Sequence, residues 1–331
     1  MAVAVPALAH LQGTPHALHP LHDPQRPWPQ TNCSVDLMIG LVAAHGFDPV
    51  WMLAFTLTQD FEGDHFGFFK VPNEDLEALY GLSVAELAVW DDLLSHVSEQ
   101  VARGRVVLLE VDGYHLPDTR GVTYHEAHGK TTIGIFALDA QARTLDYFHN
   151  ETRGRLSGDD FDGALQRLPA QSGLLMPYTE VLKVVGISAA DPSALALAQL
   201  RRHWLRQPAR NPFEAYAQAL PAHLARLAER EPAYFHAYAF NTMRQFGANF
   251  GLLEVLLSRW PQDGFQQAAQ CARTLADEAK VLQFKLARAA ARKRFDGLAD
   301  AVLALAHTHD ALMQHLATAL AVPPHPASAH P

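Results

Sequence analysis

The residue types that could carry covalent chemistry in this chain are a cysteine, a histidine and an asparagine, in that order. Cys33 is one of two cysteines in the 331-residue sequence, and it follows Thr31 and Asn32, two residue types that cap helices. Apolar residues recur at helical spacing after it, which predicts a helix that begins at this cysteine. Because the N-terminus of a helix favours a thiolate over a thiol, the sequence predicts a thiol nucleophile with a lowered pKa. The alternative is a small buried hydrophobic residue.

His128 is the predicted general base, because it adjoins Gly129 directly before a predicted strand, where its position would be rigid. His125 and His149 are alternatives. We expect His125 to be more exposed, and alternation along a strand would point His149 away from the face that carries Asn150. An imidazole of this kind would accept the thiol proton in a cysteine hydrolase.

Three further residues have predicted roles at the same site. Asn150 is the predicted group that holds the imidazole in the correct tautomer, and Asp146, on the same strand face, is the alternative. Gln30 is predicted to supply an oxyanion-hole amide together with the backbone N–H of Cys33. An exposed loop glutamine is the other interpretation of Gln30.

Several elements must position these residues. Periodicity predicts a first helix from Cys33 to about Ala44, an apolar segment of ambiguous type at 50–58, helices at 74–80 and 84–103, strands at 105–112, 130–138 and 144–149, and an almost wholly helical region at 213–321. This order predicts an α+β protein. Its predicted parts are an irregular arm rich in proline and histidine at 1–30, an α/β domain at 31–190, a helical domain at 191–321 and a disordered tail at 322–331.

Composition narrows the classes of function. The formal net charge of −9 argues against nucleic acid as the main partner, since no excess of basic residues neutralises phosphates. No run approaches the roughly 18 apolar residues of a membrane span. Two cysteines do not make a disulfide framework, so we expect a reducing compartment. We therefore expect a cytoplasmic protein with no membrane partner. The histidines of the two chain ends lack the spacing of metal ligands, so no metal site is predicted there. No other cofactor is predicted.

A helix that carries cysteine, followed by an antiparallel sheet that carries histidine, resembles the papain-like layout. The motif Gln30-Thr-Asn-Cys33 is similar to the Gln-x-x-Cys motif of bacteriocin-leader peptidases. The run at 130–135 resembles the strand after their catalytic histidine, and the run at 147–150 resembles their aromatic-rich strand that ends in Asp or Asn. With the segment at 60–70 and the helical C-terminal half, residues 28–320 more closely resemble an uncharacterised bacterial family grouped with the butirosin-pathway acyltransferase.

This resemblance implies a papain-like domain followed by a helical bundle, and transfer of an acyl or aminoacyl group from a carrier-protein thioester to an amine. The carrier would bring any phosphopantetheine, and the acceptor would be a small-molecule or peptide amine. A cysteine peptidase or amidase with the same Cys-His-Asn site and a catalytically inactive papain-like scaffold are the alternatives. A basic run could dock an acidic carrier or could be a solvated helix face; it comprises Arg288, Arg292, Lys293 and Arg294.

Overall fold

The computed structural model describes residues 8–186 and 190–322. Their contacts divide into two compact units, and each unit is built from separate stretches of the chain. Unit 1 takes its described residues from 8–22, 32–49, 71–186 and 190. Unit 2 takes them from 23–31, 50–70 and 191–322.

Unit 1 is organised around a six-stranded antiparallel sheet with the strand order β1-β6-β2-β3-β4-β5. The strands are β1 (Leu82–Glu86), β2 (Val106–Asp112), β3 (Lys130–Asp139), β4 (Thr144–His149), β5 (Thr152–Ser157) and β6 (Thr179–Val184). The helices of this unit are α1 (Cys33–Ala44), α2 (Asn73–Tyr80), α3 (Leu93–Ala102) and α4 (Gly158–Ala164).

The two faces of this sheet carry different helices. On one face α1 lies close to β3. A Cβ added at Gly134 of β3 would come within 3.2 Å of the Leu37 side chain and 3.3 Å of the Leu41 side chain. On the other face, side chains of α3 and α4 form one buried cluster with β2, β3, β4 and β5. Burial of both faces accounts for the nearly continuous apolar run of β2, where residues 106–109 are all buried.

The helix predicted at 84–103 is wrong over its first part. Residues 82–86 form β1, in which Val84 pairs with Leu182 of β6, and the helix begins only at Leu93. Its N-cap is Asp92, whose carboxylate accepts a hydrogen bond from the Ser95 backbone N–H. Pairing with a strand almost a hundred residues away outweighs the local helical pattern.

Unit 2 is mainly helical, with α5 (Pro192–Trp204), α6 (Pro212–Glu229), α7 (Pro232–Asn241), α8 (Met243–Leu257), α9 (Asp263–Arg292) and α10 (Leu298–Leu320). The segment of ambiguous type is a 3-10 helix, Pro49–Thr58. Two polar contacts tie the earlier segments into this unit. The Trp28 indole donates to the Ala276 carbonyl at 2.8 Å, and the Asn249 amide donates to the Thr56 carbonyl at 2.8 Å.

The division near residue 190 coincides with the last change of unit, but 23–30 of the predicted arm and 50–70 of the predicted α/β domain belong to unit 2. Trp28 is buried. Its large apolar ring can be buried because its one polar group, the indole N–H, donates to the Ala276 carbonyl. Residues 1–7 of the arm and 323–331 of the predicted tail lie outside the described residues.

The α+β class is confirmed, as is an antiparallel sheet that precedes a helical C-terminal region. Across residues 8–186 and 190–322, no helix is both long enough and apolar enough to cross a bilayer.

Candidate active site

Cys33 is the first residue of α1, as predicted. The side chain of Asn32 caps this helix, since its Oδ1 atom accepts hydrogen bonds from the backbone N–H of Ser34 at 3.1 Å and of Val35 at 3.0 Å. The cap uses the two donors that follow Cys33 and so fixes the start of the helix. The half-buried thiol is thereby held at the N-terminal end of α1.

The thiol of Cys33 contacts the beginning of β3. Its partners are the Thr131 hydroxyl and the backbone N–H groups of Thr132 and of Cys33 itself. Burial raises the pKa of Cys33 above its usual value of 9.0, and the charge of Asp36 raises it further, whereas the three hydrogen bonds lower it. The net direction is upward. The predicted lowering of this pKa is therefore wrong, because desolvation outweighs the helix N-terminus.

A buried histidine of β4, His149, contacts Thr131. The Oγ1 atom of Thr131 lies 2.8 Å from Nε2 of His149, whose side chain is only 2 % exposed. Nδ2 of Asn150 lies 3.1 Å from the same ring nitrogen. The Thr131 hydroxyl thus connects the Cys33 thiol to an imidazole, and that imidazole belongs to His149.

The other nitrogen of this imidazole faces a carboxylate. Nδ1 of His149 lies 2.5 Å from Oδ2 of Asp118, and the hydroxyl of Tyr147 donates to the second oxygen of Asp118. Burial alone would raise the pKa of Asp118, but hydrogen bonds from His149 and Tyr147 and the charge of His149 lower it below its usual value. Asp118 is therefore ionised at neutral pH and accepts the Nδ1 proton.

This arrangement fixes the direction of the hydrogen bonds. When Asp118 accepts from Nδ1, the lone pair of Nε2 in neutral His149 accepts from the Thr131 hydroxyl. The oxygen of Thr131 can in turn accept from the thiol of Cys33. If both protons shift along this path, the result is a thiolate that accepts from Thr131 and an imidazolium stabilised by Asp118.

The structure places the predicted base elsewhere. The side chain of His128 is 79 % exposed, its Nδ1 atom lies 2.5 Å from Oδ2 of Asp112, and its ring stacks on that of Tyr114 with centroids 5.0 Å apart. The residue of this stretch that meets the Cys33 thiol is Thr131, three positions later. The contacts therefore favour His149 over His128 as the base.

The two predicted orienting residues have different surroundings. Asp146 is buried against Arg155, whose Nε and Nη2 atoms lie 2.7 and 2.8 Å from the two carboxylate oxygens. It also accepts from Gln12 at 3.4 Å. Asn150 contacts His149 rather than His128 and does so through its amide nitrogen, so it does not take the predicted role of accepting the second imidazole N–H. Asp118 takes that role.

Asp118 is a residue of this site that the sequence alone does not identify. Its position depends on the 3-10 turn Pro117–Thr119, which follows β2 by way of a second short turn, Gly113–His115. The order of residues shows only that a carboxylate follows a buried strand. Its distance from β4 is a property of the folded turn.

The other predicted residues lie in unit 2. Gln30 is exposed, and its Oε1 atom is 3.5 Å from Nη2 of Arg244. Its oxyanion role stays a prediction. Arg288, Arg292 and Arg294 are exposed on and after the end of α9.

Lys293 of the same basic run has a structural role. It terminates α9 in the left-handed conformation with φ of 53°. Its ammonium donates to the carbonyls of Leu227 and Arg230, at 3.1 and 2.9 Å, and so satisfies the C-terminal end of α6. Lys293 is therefore engaged within unit 2, and three arginines remain as the predicted docking charge.

No group of three or more His, Cys, Asp or Glu side chains in the described part of the chain is arranged to hold a metal ion.

Comparison with known families gives two adjacent matches. The DUF1839 N-terminal domain matches residues 17–184, and the DUF1839 C-terminal domain matches residues 190–318. A search of curated proteins finds no match. The N-terminal match spans most of unit 1 together with the early segments of unit 2, and the C-terminal match covers most of the remaining helices. Because the two matches cover most of the sequence, the chain belongs to the DUF1839 family.

Proposed function

We propose that this protein transfers an acyl or aminoacyl group from a thioester to an amine, through an acyl-cysteine at Cys33. The observation that carries the proposal is the continuous path from Cys33 through Thr131 and His149 to Asp118. A thiol, a hydroxyl, a buried imidazole and an ionised carboxylate in this order are the parts of a base-assisted nucleophile.

The first step forms the covalent bond. The Cys33 thiol gives its proton to Thr131 as Thr131 gives its own proton to Nε2 of His149, and the sulfur attacks the carbonyl carbon of the donor. Because the pKa of Cys33 is raised, this proton leaves during the attack rather than beforehand. Asp118 stabilises the imidazolium that forms.

The second step releases the donor thiol. The tetrahedral oxyanion collapses, the bond from carbon to the donor sulfur breaks, and the leaving thiolate takes a proton from the imidazolium. The backbone N–H groups of Cys33 and Thr132, which hydrogen-bond the sulfur, are the proposed donors to the developing charge.

The third step restores the free protein. An amine attacks the acyl-cysteine carbonyl and gives its proton to Nε2 of His149. The bond from carbon to the Cys33 sulfur breaks, and the sulfur regains a proton from His149 through Thr131. The acyl group leaves as an amide. If water replaces the amine, the same steps describe a hydrolase.

We propose transfer to an amine rather than hydrolysis by water because residues 28–320 resemble the family of the butirosin-pathway acyltransferase and, more broadly, papain-like proteins. The proposed donor is an acidic carrier protein that holds the acyl group on phosphopantetheine. The exposed arginines at 288, 292 and 294 supply positive charge for its docking.

The deciding experiment is intact-mass spectrometry after incubation with aminoacyl thioesters of N-acetylcysteamine. The expected result is an added aminoacyl mass that disappears in Cys33→Ser and persists in Cys271→Ser. Addition of amines should then discharge the adduct faster than water does. An adduct on Cys271 alone, or none with any donor while the protein remains folded, would support an inactive scaffold instead. Discharge that no amine accelerates would support a peptidase or amidase.

A further inference from the structure

A cavity of about 200 Å³ lies within unit 2, whereas the residues of the proposed chemistry belong to unit 1. Its walls come from the loop after Phe61, from α6 and from α7. Its lining includes Asp64, His223, Arg226, Tyr234, Tyr238 and Asn241.

Two opposite charges border this cavity without neutralising each other. Asp64 comes from the loop and Arg226 from α6. The carboxylate of Asp64 pairs with Nδ1 of His65 at 2.5 Å, and the guanidinium of Arg226 forms no hydrogen bond or ion pair with any described residue. The two charges interact across the cavity, since Arg226 contributes to a lowered pKa of Asp64, in which the hydrogen bond from His65 is the largest cause. The Arg226 guanidinium and Oδ2 of Asp64, the oxygen that His65 does not use, are therefore both open to a ligand.

The inner wall presents an uncharged polar surface. Nδ1 of His223 lies 3.1 Å from the Tyr238 hydroxyl, which lies 2.7 Å from the hydroxyl of Tyr216. Burial lowers the pKa of His223, and the charge of Arg226 lowers it further, so the imidazole is neutral near pH 7. Burial also raises the pKa of Tyr238 to about 12. This wall carries no net charge, and the second ring nitrogen of His223 makes no hydrogen bond within the described chain.

The remaining walls are aromatic and polar. Tyr234 and Tyr238 are successive residues of one face of α7, four positions apart, and Asn241 follows on the same side. Asn249 belongs to an internal contact, whereas Asn241 borders the cavity.

We propose that this cavity binds a free amino acid as its zwitterion. The carboxylate would pair with Arg226, the ammonium with Asp64, and the side chain would lie against Tyr234 and Tyr238. Arginine matches a carboxylate through two parallel hydrogen bonds. A ligand without a carboxylate would leave Arg226 without a partner, and a ligand without an ammonium would leave Asp64 paired with His65 alone. The volume is below the roughly 300 Å³ at which drug-sized pockets begin, and so suits a small metabolite.

This proposal is independent of the chemistry at Cys33, because it rests only on side chains of unit 2. The first experiment is a thermal-shift screen of the full chain against the twenty standard amino acids. The strongest ligand is then measured by isothermal titration calorimetry beside its methyl ester, which keeps only the ammonium, and its N-acetyl derivative, which keeps only the carboxylate. The zwitterion should bind at least about tenfold more tightly than either derivative.

Two variants divide the contributions of the charges. Arg226→Gln should weaken binding of the amino acid and its N-acetyl derivative by about tenfold and leave the methyl ester unchanged. Asp64→Asn should weaken binding of the amino acid and the methyl ester and leave the N-acetyl derivative unchanged. Matched controls at exposed positions, Arg210→Gln and Glu62→Gln, should bind all three ligands as the unaltered protein does.

Three outcomes would overturn the proposal. The first is the absence of saturable binding by any of the twenty amino acids at millimolar concentration. The second is binding that neither Arg226→Gln nor Asp64→Asn changes. The third is equal weakening by the controls, which would show that only the net charge of the protein matters. None of these outcomes bears on acylation of Cys33.

Discussion

Oγ1 of Thr131 lies 2.8 Å from Nε2 of His149, and the same hydroxyl contacts the thiol of Cys33. A hydroxyl therefore stands between sulfur and imidazole, where a direct contact was expected. Since a hydroxyl both accepts and donates one proton, it can connect the two groups without becoming charged. The reactivity of the cysteine then depends on a residue that is not itself an acid or base at neutral pH.

Removal of this hydroxyl should slow reaction at Cys33. Thr131→Val keeps the shape of the side chain but breaks the path to His149, so acyl-adduct formation should fall by about a hundredfold, the scale of general-base assistance. Thr131→Ser should retain most of the rate. The matched control is Thr132→Val, because Thr132 contributes its backbone N–H rather than its side chain. Equal rates in Thr131→Val and Thr132→Val would show that the Thr131 hydroxyl does not transfer a proton between Cys33 and His149.

Replacement of the two histidines should distinguish their roles. His149→Ala should reduce acylation of Cys33 by about a hundredfold or more, since it removes the imidazole that faces Thr131. His128→Ala should leave the rate within about twofold, because His128 is exposed and bonds Asp112. Initial rates of adduct formation by mass spectrometry test both variants. The opposite ranking would return the base to His128.

The pH dependence of alkylation should reflect the raised pKa of Cys33. A thiol with a raised pKa has less thiolate at neutral pH, so iodoacetamide should react with Cys33 more slowly than with an unperturbed thiol. The rate should still be rising when the pH passes the usual value of 9.0. The measurement uses Cys271→Ser protein, in which Cys33 is the remaining thiol. A rate that levels off below the usual pKa would contradict an upward shift.

Asp118 should make the stability of the fold depend on pH. Its folded-state pKa is lowered, so its contribution is present above the unfolded value near 3.8 and is lost as the pH falls through the folded value. Asp118→Asn should therefore lower the free energy of unfolding at neutral pH by about 1–3 kcal/mol. The difference between the two proteins should shrink below pH 3.8. Urea unfolding across this range tests the prediction; a constant difference would place the effect in packing.

Charge reversal at the end of α9 tests the carrier proposal. Arg292→Glu with Arg294→Glu should weaken binding of an acidic carrier protein, chiefly through a slower association rate that salt screens within about 8 Å. Acylation by a small thioester should not change. The control reverses two other exposed arginines, Arg201 and Arg210. If both double variants behave alike, the arginines of α9 form only a solvated surface.

The start of α1 could be predicted because the signals are local: a capping asparagine precedes Cys33, and apolar residues follow at helical spacing. The strands β2, β3 and β4 were predictable for the same reason. The contact between Thr131 and His149 was not. The alternation argument treats β4 as a straight strand, whereas Asn150 has φ of 48° and begins a tight turn into β5. That turn brings the Asn150 amide back to His149.

The electrostatics at Cys33 could not be predicted for a different reason. The effect of a helix N-terminus can be judged from sequence, but the cost of removing a thiolate from water depends on what surrounds it. In this protein burial outweighs the N–H donors, and Asp36 of the same helix adds a repulsive charge. Asp118 joins the site through a short turn whose path is set by tertiary packing.

The alternation of the two units along the chain has a consequence for folding during synthesis. The segments 23–31 and 50–70 leave the ribosome early, yet they pack with helices that begin at residue 192, as the contacts of Trp28 with Ala276 and of Thr56 with Asn249 show. Every strand of unit 1 is complete by residue 184. Unit 1 can therefore fold on the nascent chain before the partners of Trp28 have been synthesised. Its folding must leave the segments 23–31 and 50–70 accessible until the last helices emerge.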